Sequence, residues 1–293
     1  MLNYDRYSWW KTVFSYHGTV LPNTLARVGI LTIFSIIVCG LNDLSMMYYG
    51  INLPALDSLG HNVLGMSLGL LIVFRTNSSS NRYWEGRSHW GMMVNTCRSL
   101  ARMGYVFTDS SHARDLANLL TAYVVAVKEN LRGTKNYGVL SGLMSGRLYE
   151  TMVRANNPPS IIARAVTDWI RKGLKDGLYE AQIASRMEEQ VCKLLDAQGG
   201  CEKILKTPLP YVYSSLIKQL VTLYVFSLPF VLATKMDWAS PVVIAAVGFG
   251  MFGIEEAGVE IENPFGLQVN DLPLEAICET IALDVNNLAD DPK

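Results

Sequence analysis

The sequence predicts an all-α membrane protein, with four membrane-spanning helices in two hairpins flanking a helical block that sits in water. Three observations carry that prediction. Only 17% of the 293 residues are charged, against about 25% in a soluble domain, while half are hydrophobic and mean hydropathy is +0.19. Four stretches carry no charge at all. In the polar block between them, apolar residues recur at helical spacing, with no period-2 alternation long enough for a sheet. The same composition excludes a disordered chain, a basic nucleic-acid binder and a collagen-like repeat.

The uncharged stretches are Val28–Asn42, Ser58–Phe74, Gln219–Thr234 and Trp238–Ile254, bounded by Arg27/Asp43, Asp57/Arg75, Lys218/Lys235 and Asp237/Glu255. A charge at the centre of a spanning helix costs about 2.5–3.5 kcal/mol, so such gaps carry information. Each holds 15 to 17 residues, about 23–26 Å of helix against a hydrocarbon thickness of about 30 Å. Any one alone reads as a buried helix of a soluble protein; four in two close pairs read as spans. Residues 75–217 hold 19 Lys+Arg and 12 Asp+Glu, a net of +7, whereas between Arg27 and Arg75 the only charges are Asp43 and Asp57. The positive-inside rule therefore puts the block and both termini in the cytoplasm of an inner membrane. Asp5, Arg6 and Lys11 precede any apolar run and no cleavage pattern follows, so no secretory signal is expected. The organisation is an N-terminal segment and first hairpin (1–74), a cytoplasmic helical region (75–217), a second hairpin (218–254) and an acidic turn and helix (255–293). That last segment carries a net of −9, which invites docking on the basic block.

Within the block, Trp90, Val94, Cys97 and Leu100 form one stripe. Leu116, Leu119, Leu120, Tyr123, Val124 and Val127 form the next, stopped at Gly133. Ile161, Ile162, Ala165, Val166, Trp169 and Ile170 follow the Asn156-Asn157-Pro158-Pro159 break. Ile183, Met187, Val191, Leu194 and Leu195 run to an expected end at Gly199-Gly200. Asp271, as N-cap, and Pro273 open a last helix on Leu274, Ile277, Cys278, Ile281, Val285 and Leu288.

Catalytic chemistry finds little support. His17, His61, His89 and His112 lack metal-ligand spacing, and the five cysteines are scattered without a C-x-x-C pair, as free thiols in a reducing compartment would be. Neither G-x-S-x-G nor a P-loop occurs. No metal site and no cofactor is expected. In the second stretch, Gly65 and Gly69 have the small-residue spacing that lets membrane helices approach closely. On the same stretch Met66, Leu70 and Phe74 follow at i, i+4 and i+8 and share one face, which reads either as a lipid- or helix-facing stripe or as an apolar constriction gating ions. Arg75, Arg82 and Arg87 form a basic belt at the interface, with Tyr83 and Trp84 as anchors, and Glu85 is placed to pair with an arginine at a bend. Glu255, Glu256, Glu260 and Glu262 read as a solvated acidic face.

VFRTNSSSNRYWEGR (73–87) with the following HWG, GCEKILKTPLPYVY (200–213) and EIENPFGLQVNDLPLEAIC (260–278) together resemble the bestrophin family, specifically its prokaryotic members, over nearly the whole chain. The resemblance implies a homopentameric channel with one pore on the five-fold axis, embedded in lipid and passing small ions, with no enzymatic role and no nucleic-acid partner. The family's neck positions then fall on Met66, Leu70 and Phe74, and a cytoplasmic aperture falls near Gln182, with Ile183 its neighbour. The implied ion is monovalent, an anion such as chloride first; a cation channel of the same architecture and a non-conducting scaffold or sensor are the alternatives. Animal members resemble a calcium clasp at this place. Here Asn263-Pro264-Phe265-Gly266 is present, but the following run keeps one carboxylate, Asp271. Calcium prefers six to eight oxygens with several carboxylates, so weak or absent calcium activation is expected and the turn is read as structural.

Overall fold

A computed structural model describes residues 8–290; Asp5 and Arg6 lie outside them. Among the described residues there are ten α-helices, two short 3-10 turns and no strand. They fall into two compact units, whose packing boundaries lie at 82/83, 207/208 and 262/263.

The first unit takes residues 8–82 and 208–262. It contains α1 (Trp9–Val13), α2 (Leu21–Tyr49), the first part of α3 (Ser58–Phe107), α8 (Tyr211–Met236) and α9 (Ser240–Glu260). Pro22 in the first turn starts α2, and Gly50, left-handed at φ 67°, ends it. The 3-10 turn Asp237–Ala239 joins α8 to α9, and the two pack on each other and on α2. Their shared core is Leu31, Leu68, Ile72, Ile217, Val221, Val225, Leu228, Ile244 and Phe252. Outward, α2 leaves Ile30, Ile33, Ile37, Leu41 and Leu44 uncovered. Leu21–Tyr49, Ser58–Phe107 and Tyr211–Glu260 are each long and apolar enough to cross a membrane, the last comprising α8 and α9. These helices extend past the uncharged stretches, so the shortness of those stretches reflects where charges begin and not where helices end. With 29 residues, α2 reaches about 43 Å at 1.5 Å per residue.

The second unit takes 83–207 and 263–290: the rest of α3, α4 (Ser110–Arg132), α5 (Gly146–Arg154), α6 (Pro158–Lys175), α7 (Ala181–Lys206) and α10 (Leu274–Asp290). Side-chain caps define its helices. Asp109 accepts from Ser111 N at 2.8 Å and His112 N at 2.9 Å to open α4, and Gly133, at φ 68°, closes it. Asn157 caps α6 ahead of Pro158. The core gathers Trp90, Cys97, Leu100, Leu116, Leu120, Tyr123, Val127, Val166, Met187, Val191, Leu194, Ile281 and Val285. Helix α10 lies on α4, its Glu275 paired with Arg132 and, at 3.4 Å, with Lys128, while Asp284 meets Arg98 at 2.6 Å.

Two expectations are corrected here. Gly199-Gly200 does not end α7, which runs through to Lys206; a Cβ at Gly200 would overlap the His89 ring, so the small residue serves close approach of α3 and not termination. Nor does a helix end at Glu85. Helix α3 is uninterrupted over 50 residues, and Glu85 accepts from Lys203 at 2.7 Å instead of from an arginine.

Candidate functional site

Helix α3 divides its first half between two faces. Leu68 and Ile72, four residues apart, are buried in the core. Met66, Leu70 and Phe74 are 81%, 58% and 54% exposed, so the apolar stripe faces away from the chain's own packing. Leu59 and Val63 are exposed too and extend the stripe toward the start of the helix; their four-residue spacing was present in the sequence but went unused. The packed face is seated by Tyr224 of α8. Its ring stacks on His61 at 4.3 Å between centroids and covers Gly65, where a Cβ would stand 2.7 Å from Tyr224 Oη. Gly69 meets no such neighbour. Only one glycine of the pair is therefore needed for close approach within the chain.

Where the stripe ends, the helix is pinned by charge. Arg75 directly follows Phe74, but its side chain is 2% exposed and pairs with Glu255 of α9, itself 4% exposed, with Glu262 at 3.8 Å. Arg27 of α2 meets Glu256 at 2.8 Å and Glu255 at 3.8 Å. Lys218 of α8 stands 4.0 Å from Glu255. Arg82 donates to the Glu262 carbonyl at 3.1 Å, and Glu262 Oε1 accepts from Leu209 N at 3.0 Å. The acidic residues are thus not a solvated face: four helices, α2, α3, α8 and α9, are tied through Glu255, Glu256 and Glu262. Removing charges this far from water is tolerable only when each is matched. Of the three arginines read as a belt, Arg75 is buried, Arg82 is half-buried and committed to a carbonyl, and Arg87 alone is exposed. Sequence reasoning missed the Arg75–Glu255 pair, because its members are 180 residues apart. The available signal was that each stands immediately beside an uncharged stretch, at the same expected depth.

In the second unit, Gln182 is exposed and Ile183 half-buried in the first turn of α7, where Ile183 packs against the core. The Asn263–Gly266 turn is compact. Phe265 is fully buried, its N–H donates to Asn263 Oδ1 at 3.3 Å, and its ring fills the space over Gly86, where a Cβ would sit 3.0 Å away. Asp271 Oδ2 accepts from Gln268 N at 2.6 Å, and Leu272 N donates to the Pro264 carbonyl at 2.9 Å, closing the loop just ahead of α10. Further along, Gln198 and Asn157 donate to Glu202 at 2.7 and 3.0 Å, and Tyr123 donates to Gln198 at 3.0 Å. Burial alone would raise the Glu202 carboxyl, but bonds from Gln198, Lys206 and Asn157 bring it below the ordinary carboxylate range. The hydrogen bond from Lys203 lowers Glu85 in the same way.

Residues 1–287 match the family profile of the bacterial/fungal bestrophin protein. The chain belongs to the bestrophin family. A voltage-dependent anion channel-forming protein of Nostoc is 36% identical over 96% of this chain and 91% of its own length. One so named from Synechocystis is also 36% identical, with the same coverage. A bacterial bestrophin homologue from Klebsiella pneumoniae, solved by crystallography, superposes with a TM-score of 0.85 at 24% identity, over 92% of this chain and 99% of that one. The all-helical architecture is therefore the bestrophin fold.

Proposed function

We propose that this bestrophin is one subunit of a homopentameric inner-membrane channel that passes small monovalent anions, chloride among them. In this reading α2, the first half of α3, α8 and α9 cross the membrane, with both termini in the cytoplasm. Met66, Leu70 and Phe74 then form three stacked apolar rings of the neck. The observation that carries the reading is the uncovered stripe on α3, an apolar face exposed on the same helix that buries His61, Leu68, Ile72 and Arg75. A ring of such side chains admits ions only when water fills it, so side-chain size sets the flux. The neck carries no fixed charge. The sign of the ion rests on kinship with proteins named for forming anion channels. Gln182, with Ile183 beside it, marks a second and more polar constriction on the cytoplasmic side, and the Asn263–Gly266 turn with Asp271 acts structurally. Enzymatic activity forms no part of this reading.

The test is chloride flux in proteoliposomes. Met66→Ala, Leu70→Ala and Phe74→Ala should each raise flux, and the triple variant most. Ile33→Ala, on the uncovered face of α2, should leave it unchanged. Flux equal to that of empty liposomes in both the parent and the triple variant would overturn the channel reading.

A further inference from the structure

We propose that the cleft where α2, α8 and α9 converge holds the phosphate headgroup of an anionic phospholipid. The cleft is a cavity of about 220 Å³ lined by Arg27, Lys218, Val221, Thr222, Phe252 and Glu255. Pockets that enclose a whole small molecule run to about 300–1,000 Å³; this one takes a headgroup and leaves acyl chains outside.

Its depth is set by sequence. Arg27 and Lys218 each stand immediately before an uncharged stretch, and Glu255 immediately after one, so all three lie at headgroup level on the side carrying the basic block. Beside them, Ile30 and Ile33 of α2 and Leu223 of α8 are exposed and offer an apolar flank to acyl chains. Basic pockets between spanning helices on the cytoplasmic side are where anionic headgroups bind.

Of the two cations lining the cleft, Lys218 is the less committed, since Arg27 already meets Glu256 at 2.8 Å. Glu255 faces the cleft, but Arg75 already holds it in a buried pair. Lys218 is half-exposed, and its ammonium comes no closer than 4.0 Å to Glu255. Arg27, also half-exposed, meets Glu255 and Glu256 through Nη1, leaving the rest of its fork for a phosphate oxygen. The Thr222 hydroxyl bonds back to the Lys218 carbonyl at 2.8 Å, which fixes its side chain at the cleft wall. A lipid phosphate placed between Arg27 and Lys218 would tie α2 to α8 without disturbing the Arg75–Glu255 pair.

This site rests on the membrane-spanning reading of these helices. The experiment is native mass spectrometry of the purified full-length protein, counting retained phosphatidylglycerol against phosphatidylcholine, with chloride flux measured on the same preparations. The parent should retain phosphatidylglycerol preferentially. Lys218→Gln should weaken that retention about fivefold, the factor that ~1 kcal/mol per basic residue at an anionic surface implies, while Lys218→Arg keeps it. Thr222→Phe, which fills the cleft and removes no charge, should also lower it. Equal retention in the parent, Lys218→Gln and Thr222→Phe would overturn the site, as would displacement of the lipid by millimolar inorganic phosphate. Flux without selective retention overturns the lipid site and leaves the channel; selective retention without flux leaves the site and overturns the channel.

Discussion

Replacing Arg75 by Met leaves the Glu255 carboxylate at 4% exposure with only Arg27 at 3.8 Å and Lys218 at 4.0 Å to answer it. Replacing Glu255 by Gln leaves the Arg75 guanidinium at 2% exposure facing Glu262 at 3.8 Å alone. Removing one member of a buried pair costs about 3–5 kcal/mol, most of it the cost of an unmatched charge. Because Glu255 keeps two secondary partners and Arg75 only one, Arg75→Met belongs at the lower end and Glu255→Gln at the upper. The double variant Arg75→Met/Glu255→Gln removes both charges, so it should recover a large part of the summed loss. Thermal unfolding in detergent, followed by tryptophan fluorescence as a double-mutant cycle, reads this directly, with single-variant shifts on the order of 10 °C. Additive losses in the double variant, or single losses below about 1 kcal/mol as found for surface pairs, would refute the view that this pair pins α3 to α9.

Three further outcomes follow from the packing and the ionisation. Gly200→Ala drives a methyl into the His89 ring and should destabilise the second unit by about 1–3 kcal/mol, a loss that His89→Ala in the same chain should largely reverse in the same melt. Phe265→Ala empties a fully buried position and should cost about 3–5 kcal/mol, lowering the melting temperature whether or not calcium is present. Glu202 and Glu275 are both held below the ordinary carboxylate range, Glu202 against its burial by its hydrogen bonds and Glu275 chiefly by its bond from Arg132. The unfolded chain thus binds more protons, and their contribution is complete above the ordinary carboxylate pKa and lost as pH falls through the lowered one. Melting temperature should fall on acidification below about pH 5, and Glu202→Gln should lower it at neutral pH while flattening that slope.

Helix positions were legible because burial imposes a period. The stripes Trp90–Leu100, Leu116–Val127 and Ile161–Ile170 recur every three or four residues, and the structure buries Trp90, Cys97, Leu100, Leu116, Leu120, Val127, Ile162, Val166 and Ile170. The stop at Gly133 was legible because a left-handed residue ends the helix, and the Asn156–Pro159 break because α6 opens at Pro158. The expected N-cap Asp271 is corrected, since α10 begins only at Leu274 and the Asp271 carboxylate accepts from Gln268 N in the preceding turn. Gly199-Gly200 misled because glycine has two uses. A backbone turn and a close helix contact both favour it, and only the distant His89 ring distinguishes them. The acidic run from Glu255 to Glu262 misled for a related reason: local sequence shows charges, whereas their partners Arg75 and Arg27 lie some 180 and 230 residues earlier. The stripe Met66, Leu70, Phe74 was legible as one face by spacing alone; that it is left uncovered while Leu68 and Ile72 are buried depends on α2 and α8 residues such as Leu31, Ile217 and Val221, which join those two in one core from far along the chain.

The most direct test of the channel account is the reversal potential of the purified protein in a planar bilayer under a tenfold KCl gradient. The account predicts a shift toward the chloride equilibrium potential, with Leu70→Ala and Phe74→Ala raising the current and leaving its sign unchanged. A shift toward the potassium equilibrium potential would contradict it and identify a cation channel of the same architecture.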